Sequence, residues 1–267
     1  MDTIYGDWYG FLFQDHDGLG RVPSILAVNW DYVDTKNNKY YPDWPMMGYY
    51  DDKGNFVNCL GTSQKVKNPL TIQLNKSDKE SYIVGDDDFS YPDFKKGDSL
   101  KKVWQWNHNP DDANWSVTEN PGYYRIKNGK VAGNIWFARN SLTQRTVGPN
   151  FTSETCVLTE NMKPGDYAGL AAISAHYGMV GVKCDENGNR YVFQGCNSDT
   201  NSGAKAKKED KIKENAVSKE KIEGNAPVYL KIEYAFNTGK TRADRAKFFY
   251  SLDGENWKSI GETFPHG

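Results

Sequence analysis

The sequence of 267 residues contains few cysteines and no long apolar run. No stretch approaches the roughly 18 consecutive apolar residues that a membrane-spanning helix needs. The first residues hold no basic segment followed by an apolar one, so we predict no signal peptide and leave the cellular compartment open. The cysteines show no C-x-x-C spacing and predict neither a zinc site nor a disulfide framework. They are Cys59, Cys156, Cys184 and Cys196.

The sequence also lacks the short motifs of several enzyme classes. It contains no G-x-G-x-x-G, P-loop, H-E-x-x-H or G-x-S-x-G pattern, and these absences argue against nucleotide-dependent and serine-hydrolase chemistry. Its 33 Lys and Arg residues nearly balance 35 Asp and Glu residues, for a net charge of -2. Because binding to nucleic acid or to an acidic membrane requires a basic excess, we expect neither partner. Nothing in the sequence predicts a cofactor or a metal ion.

Aromatic residues, in contrast, are abundant. The chain holds 17 Tyr, 12 Phe and 8 Trp, which together make up 14% of its residues, while its mean hydropathy is only -0.78. Aromatic and β-branched residues favour strands. Short runs of strand character, including "NIWFAR" at 134–139, recur from residue 86 onward and are separated by Gly, Asn or Asp. This spacing predicts an all-β sandwich, and the Asp-Gly pair in "SLDGENW" predicts a hairpin.

The remaining regions differ in texture. Residues 4–14 and 22–30 predict two strands joined by a Gly-containing hairpin loop. Residues 31–85 are polar and largely aperiodic, with one short strand predicted near "LTIQL" at 70–74. Residues 201–226 hold seven Lys against five acidic residues and no aromatic residue. We interpret them as a mobile or partly helical loop between strands, since a polyanion-binding tail would need a larger basic excess.

Three Trp residues lie close together in the segment 104–115, beside many amides and acids. Trp104 and Trp106 share one strand face if the segment is extended. Packing of these rings in an aromatic core is the interpretation we favour. The alternative is a platform for a sugar, whose C–H faces stack on aromatic rings. In that case Trp106 and Trp115 are the predicted substrate contacts.

Several acids and one histidine are candidates for chemistry. Glycoside hydrolysis requires two carboxyl groups on either side of the bond, but the sequence alone pairs none of its acids. Asp15 and His16 lie in the first hairpin loop, and a His between acids can form a pH-tuned site. The run at 86–88, three consecutive Asp residues, is interpreted as a solvated entry to a strand.

Several of these stretches resemble one known family when they are taken together. "WQWNHNPDDANWSVTENPGYYRIK", "NSLTQRTVGPN", "NMKPGDYAGLAA", "YGMVGVK" and "FFYSLDGENW" occur in this order. They resemble the C-terminal concanavalin A-like β-sandwich of the β-xylosidases and α-L-arabinofuranosidases of glycoside hydrolase family 43. The opening "GDWYGFLFQDHDGLGRVPSILAVNW" resembles the last blade of that family's five-bladed β-propeller. We therefore expect a partial blade at 1–60, a linker at 61–85 and a sandwich at 86–267.

The resemblance implies inverting hydrolysis of terminal xylosyl or arabinosyl units of xylan-derived oligosaccharides. The family's catalytic carboxylates lie on earlier blades, so we expect this chain to be a fragment without them that is inactive alone. The sandwich of the family also extends further than this chain does. Arg21 matches the Arg of the last blade that reaches the sugar, and Asp15 and His16 match the adjoining loop. These three residues are predicted substrate contacts.

Two alternatives to a hydrolase fragment remain open. The sandwich could bind xylan or arabinoxylan without cleaving it, or it could be a stabilising domain with no ligand of its own. The sequence leaves the choice between xylose and arabinose, and the oligomeric state, undecided.

Overall fold

The computed structural model describes residues 7–15, 20–34, 36–58, 82–95, 97–197, 205–236 and 244–265. Within these ranges the regular secondary structure consists of strands and short 3-10 segments, with no α-helix, which confirms the predicted all-β class. The chain divides into two units, residues 1–16 with 21–81 and residues 17–20 with 82–267. No helix of the described residues has the length and apolar character needed to cross a membrane.

The first unit is built on a four-stranded antiparallel sheet in the order β1-β2-β5-β6. The hairpin β3–β4 lies between β2 and β5 in the chain. The strands are β1 (Trp8–Asp15), β2 (Arg21–Asn29), β3 (Tyr32–Asp34), β4 (Lys39–Tyr41), β5 (Met46–Tyr50) and β6 (Phe56–Asn58). The predicted pair of strands at 4–14 and 22–30 is thus confirmed. The interpretation of 31–85 as an irregular linker was wrong for its described part up to residue 58, because β3, β4, β5 and β6 lie there.

The turn between β5 and β6 shows how this unit closes its hairpins. The Asp51 carboxylate accepts hydrogen bonds from the backbone N–H of Lys53 at 2.9 Å and of Asn55 at 2.8 Å. Gly54 has φ of 78°, which a residue with a side chain rarely adopts. An Asp followed by a Gly in left-handed conformation is a compact way to reverse an antiparallel pair.

The second unit is a sandwich of two antiparallel sheets. One sheet has the order β11-β16-β17-β18, with β19 also paired to β17, and the other has the order β12-β13-β14-β15. The first comprises β11 (Asn150–Val157), β16 (Val228–Ala235), β17 (Arg245–Ser251), β18 (Lys258–Ser259) and β19 (Phe264–Pro265). The second comprises β12 (Tyr167–Ile173), β13 (Tyr177–Cys184), β14 (Arg190–Cys196) and β15 (Lys213–Lys221).

The core lies between these two sheets. Val180 and Val182 of β13 face Leu230 and Ile232 of β16, and all four side chains have no exposed surface. Burial alternates along β16, as expected for a strand with one face in a core. The predicted sandwich is therefore confirmed, and so is the hairpin at Asp253, whose carboxylate accepts from the N–H of Asn256 at 2.8 Å.

Residues 82–149 of the second unit contain little regular structure. They hold four two-residue strands, β7 (Gln105–Trp106), β8 (Trp115–Ser116), β9 (Arg125–Ile126) and β10 (Leu142–Thr143). The strand predicted at 134–139 was wrong, because Ile135–Phe137 forms a 3-10 helix. The Asn134 side chain caps that helix by accepting from the N–H of Trp136 at 3.0 Å, and this local bond competes with an extended conformation.

The interpretation of residues 201–226 as a loop was also wrong for residues 213–221. The strand β15 occupies nine of these residues and pairs with β14. Half-buried Ala216 and Ser218 alternate with exposed Lys and Val residues along it. β15 is the edge of its sheet, where charged side chains prevent pairing with a further strand. The Lys-rich composition that suggested a loop therefore belongs to a protected edge.

Three other predictions concern the domain boundaries. The linker at 61–85 and its short strand near 70–74 fall mostly within residues 59–81, which lie outside the described residues. The division into a blade at 1–60 and a sandwich at 86–267 stays a prediction.

Candidate functional site

Arg21 lies at one end of the first hairpin. It is the first residue of β2 and pairs with Asp15, the last residue of β1. Its guanidinium carbon is 4.7 Å from the centre of the Phe13 ring, in a cation–π contact. Only the backbone position of Asp15 is described, and His16 lies outside the described residues. The structure thus brings Arg21 and Asp15 to the same strand end, as the sequence predicted for the hairpin.

The contact with Phe13 orients the Arg21 side chain, whose guanidinium makes no hydrogen bond to another of the described residues. A guanidinium carries five N–H donors in a planar fork, and stacking on a ring occupies its face rather than its edge. Arg21 is exposed. A planar, exposed fork of donors suits the vicinal hydroxyl groups of a sugar or a carboxylate.

The same face of this hairpin is apolar and exposed. Phe11 and Phe13 each expose 57% of their surface, and Ile25, opposite Phe11, exposes 37%. Pro23, opposite Phe13, is also exposed. Isolated exposed apolar residues are ordinary, but a contiguous patch of large ones marks a surface that packs against another.

The three Trp residues of the segment 104–115 join one aromatic cluster in the second unit. We use this name for Phe89, Trp104, Trp106, Trp115 and Tyr124. Phe89 stacks on Trp104 and on Tyr124, each with ring centres 5.6 Å apart. Trp106 lies 5.2 Å from Trp115, which lies 6.0 Å from Tyr124. Offset and tilted rings at these separations attract each other beyond their buried area.

Trp106 and Trp115 are both half-buried in this cluster. The indole N–H of Trp115 donates to the Asp112 carboxylate at 3.0 Å. The Tyr124 hydroxyl donates to the backbone oxygen of Asn140 at 2.6 Å, and burial raises the pKa of this hydroxyl. The rings are therefore accounted for as a small core, as we favoured. Their predicted contact with substrate stays a prediction.

Asp87 organises one side of the aromatic cluster, and the interpretation of 86–88 as a solvated strand entry was wrong for this residue. Its side chain has no exposed surface. Its carboxylate accepts from the N–H of Phe89 at 2.9 Å, the hydroxyl of Tyr91 at 2.5 Å and the indole N–H of Trp104 at 2.7 Å. Lys101 adds an ion pair at 3.0 Å. Four aromatic residues within the next 17 positions could have indicated a buried acid.

These contacts shift the pKa of the Asp87 carboxyl and of the Tyr91 hydroxyl. Burial raises the pKa of Asp87, but the bonds from Tyr91, Trp104, Lys101 and the Phe89 backbone outweigh it and hold that pKa below its usual range. Burial, and then the bond to Asp87, raises the pKa of Tyr91 to about 12. Asp87 is therefore a fixed carboxylate that serves the fold rather than a general acid.

A cleft of about 280 Å³ opens in the second unit. We call it the basic cleft, because three cationic side chains line it. Among its lining residues are Lys130, Arg139, Lys208, His108, Asn109 and Phe137. They come from three segments of the chain, and sequence reasoning named none of them as a site because up to a hundred residues separate the segments.

Two residues beside the cleft tie these segments together. Asn134, only 7% exposed, donates from its side-chain amide to the backbone oxygens of Lys207 at 3.0 Å and Asp210 at 2.8 Å. A Cβ on Gly133 would lie 2.8 Å from the same Asp210 oxygen and 3.0 Å from that of Lys208. The Lys-rich segment can approach this closely only because residue 133 is glycine, and its approach brings Lys208 to the cleft.

His108 ties its own segment, residues 108–109, to the 3-10 helix that lies beside the cleft. Its Nε2 forms a short hydrogen bond to the backbone oxygen of Trp136, and because a carbonyl only accepts, Nε2 carries the proton. Arg139 lies 4.0 Å from the Asp111 carboxylate, at the limit of an ion pair. Within the described ranges, no group of three or more His, Cys, Asp or Glu side chains could hold a metal ion.

Comparison with known proteins assigns the second unit to a family. The model of the β-xylosidase C-terminal concanavalin A-like domain matches residues 92–266. A β-xylosidase of Formosa agariphila is 27% identical and is covered over 40% of its length by 96% of this chain. The chain thus spans about 40% of the length of this curated relative.

Solved structures agree with this assignment. A bifunctional GH43-CE protein of Bacteroides eggerthii is 33% identical, with a TM-score of 0.70 over 99% of this chain and 29% of its own. A GH43 glycoside hydrolase whose engineered active site displays both endo-xylanase and exo-arabinofuranosidase activity is 22% identical. Its TM-score of 0.76, over 100% of this chain and 46% of its own, shows the shared fold.

Proposed function

The chain belongs to the family of β-xylosidase C-terminal concanavalin A-like domains, and we propose that it is the C-terminal part of a family 43 glycoside hydrolase that acts on xylan-derived oligosaccharides. Its first unit then contributes the last blade of the catalytic propeller, at 1–60. Residues 61–85 link this blade to the sandwich at 86–267. The general acid and the general base come from blades that precede this sequence.

One observation carries this proposal beyond the family match, namely the placement of Arg21. An exposed guanidinium, held 4.7 Å from the Phe13 ring, stands at the end of a four-stranded antiparallel sheet. In a propeller the strand ends surround the substrate, so an Arg in this position binds a sugar hydroxyl or steadies a catalytic carboxylate. Asp15 and His16 are proposed as further substrate contacts, because their loop resembles that of the family.

The exposed apolar face of the first unit supports the same proposal. Phe11, Phe13 and Ile25 leave large apolar surfaces uncovered. A blade of a propeller buries both faces of its sheet against its neighbours. The preceding blades are the partner that we propose for this face.

The role of this chain in catalysis is then to bind and orient. An inverting glycosidase places its two carboxyl groups about 6.5–9.5 Å apart, so that a water molecule fits on the far side of the sugar. Arg21 fixes the terminal sugar against that pair. Such positioning lowers the entropy cost of reaching the transition state.

Arg21 gives the sharpest test in the polypeptide that joins this chain to its catalytic blades. Arg21→Lys keeps the charge but loses the bidentate fork, and Arg21→Met loses both. We expect kcat/KM for p-nitrophenyl β-xyloside to fall by about tenfold or more for Lys and further for Met, since a charge-assisted hydrogen bond contributes about 1.5–3 kcal/mol. Lys39→Met, an exposed cation on β4 of the same unit, is the matched control. Wild-type kinetics in Arg21→Met would remove Arg21 from the site.

A second candidate function is binding of xylan or arabinoxylan by the sandwich without cleavage. The basic cleft is the observation that favours it, because a concave surface lined by polar groups and Phe137 suits a saccharide. Retarded migration of this chain in gels that contain arabinoxylan would support it. If Trp106→Ala or Trp115→Ala abolished the retardation with the fold intact, the sugar would bind at the aromatic cluster instead.

A further inference from the structure

We propose that the basic cleft binds the carboxylate of an acidic xylo-oligosaccharide, one that carries a glucuronic acid branch. The choice of a saccharide rests on the proposed function. The choice of an acidic one rests on the cleft itself. The site lies in the sandwich unit and does not involve Arg21 or the first hairpin.

Charge is the first argument for this site. Lys130, Arg139 and Lys208 line one concave surface of a chain whose net charge is -2. Among the described residues Lys130 and Lys208 form no ion pair, and Arg139 has only the long contact with Asp111 at 4.0 Å. Three like charges around one cleft repel each other, and a bound anion relieves that repulsion.

Shape and polarity are the second argument. The cleft of about 280 Å³ is the size of a site for one or two sugar rings. Phe137 lines it and offers an aromatic surface for the C–H face of a ring. Asn109 and His108 add polar groups for hydroxyls. A phosphate or another small inorganic anion has no apolar face that could pack on Phe137.

The anchoring of the Lys-rich segment is the third argument. Two hydrogen bonds from the Asn134 amide and the close approach at Gly133 hold residues 207–210 beside the 3-10 helix. The 3-10 helix contains Phe137, and Arg139 follows it closely. Lys208 is therefore brought to the cleft by a buried side chain. A preformed cluster of cations costs less ordering on binding than mobile lysines would.

The experiment compares two ligands that share one backbone. Isothermal titration calorimetry measures binding of xylotriose and of xylotriose with a single 4-O-methylglucuronic acid branch to this chain. Inorganic phosphate is titrated as the third probe. We expect the branched ligand to bind at least about tenfold more tightly than xylotriose, because two or three exposed charge pairs each contribute up to about fivefold. This preference should shrink as NaCl rises from 50 to 500 mM.

Three variants locate the site. Lys130→Gln, Arg139→Gln and Lys208→Gln should each weaken binding of the branched ligand by about two- to fivefold and leave binding of xylotriose unchanged. Lys247→Gln, an exposed cation on β17 that does not line the cleft, is the control. All four side chains are exposed, so circular dichroism should report the same fold and the same melting temperature for each.

Each outcome decides the proposal. Equal affinity for the two oligosaccharides, or no measurable binding of the branched one, overturns it. So does a preference for the branched ligand that survives when Lys130, Arg139 and Lys208 are all replaced by Gln in one variant. Phosphate binding as tight as that of the branched ligand also overturns it. None of these results bears on the Arg21 test, since that test uses a neutral xyloside at the other unit.

Discussion

Replacing Asp87 by Asn is expected to destabilise the sandwich unit by about 2–3 kcal/mol, although it changes one atom of a non-catalytic side chain. One carboxylate oxygen accepts from the N–H of Phe89, and the other accepts from Tyr91 and Trp104. An Asn side chain keeps one oxygen and turns an NH2 group toward the donors on the other side. At least one donor then loses its acceptor.

The size of this destabilisation follows from the less costly of the two orientations that the Asn amide can take. If the amide oxygen stays with Tyr91 and Trp104, the NH2 group faces the Phe89 N–H and the Lys101 ammonium. An unsatisfied buried N–H costs about 1–3 kcal/mol, and loss of the ion pair with Lys101, whose side chain is 48% exposed, adds less than about 1 kcal/mol. The reverse orientation leaves two donors facing NH2 and costs more.

The assay is urea unfolding followed by Trp fluorescence at pH 7, which reports the rings next to Asp87. Asp86→Asn is the matched control, because Asp86 is exposed and its side chain has no described hydrogen bond. We expect the control to change the free energy of unfolding by less than about 0.5 kcal/mol. Equal effects of the two variants would refute the assignment of Asp87 as the organiser of the aromatic cluster.

The loss of unfolding free energy caused by Asp87→Asn should depend on pH, and the lowered pKa of Asp87 fixes the direction. The pKa of Asp87 is lowered in the folded protein, so its contribution to stability is fully present above the unfolded value of about 3.9. It is lost as the pH falls through the folded pKa. The difference between wild type and Asp87→Asn should therefore narrow as the pH drops below about 4. A difference that stays constant down to the folded pKa would contradict this linkage.

Two further predictions concern the two units separately. A Cβ on Gly181 would lie 2.4 Å from a backbone oxygen of the neighbouring strand, so Gly181→Ala should lower the melting temperature by several degrees. Gly85→Ala is the control and should leave the melting temperature unchanged, because its Cβ would meet only an ordinary contact at 3.8 Å. Equal melting temperatures would show that β12 and β13 can move apart. In hydrogen exchange, the sheet at 7–58 should exchange faster than the core strands of 150–251, because its exposed apolar residues give it little burial. Equal protection in both would contradict an incomplete packing of the first unit.

The strands of the sandwich could be predicted because their pattern of apolar and polar residues shows which side chains are buried. β16 alternates apolar and polar residues from Val228 to Ala235, and only one face of a strand can be buried in that pattern. The hairpin at Asp253 carries an Asp and a Gly at the positions that a turn requires. Local chemistry and the final fold agree at these places.

Other features depend on tertiary contacts that composition conceals. The Lys and Glu residues of β15 indicate a loop when they are counted, but they lie on a sheet edge where charge is useful. Asp87 looks solvated beside two other Asp residues, yet four donors converge on it.

The basic cleft is the clearest case of a site that sequence reasoning missed. Lys208 and Lys130 are 78 residues apart in the chain. The hydrogen bonds of Asn134, together with one from the N–H of Ile212 to the backbone oxygen of Gly133, bring their segments together. No periodicity or motif encodes such a contact. The one local signal was the Gly-Asn pair at 133–134, which marks a close backbone approach but not its partner.

Hydrolysis by this chain on its own would show whether the general acid and the general base lie outside it. The purified protein would be incubated with p-nitrophenyl β-xyloside and p-nitrophenyl α-L-arabinofuranoside, and the release of p-nitrophenol recorded over hours. Supplied without the preceding blades, the chain should release none above a buffer blank, and joined to them it should turn over many times. Steady turnover by the chain alone would place the acid and the base within these 267 residues and contradict the account.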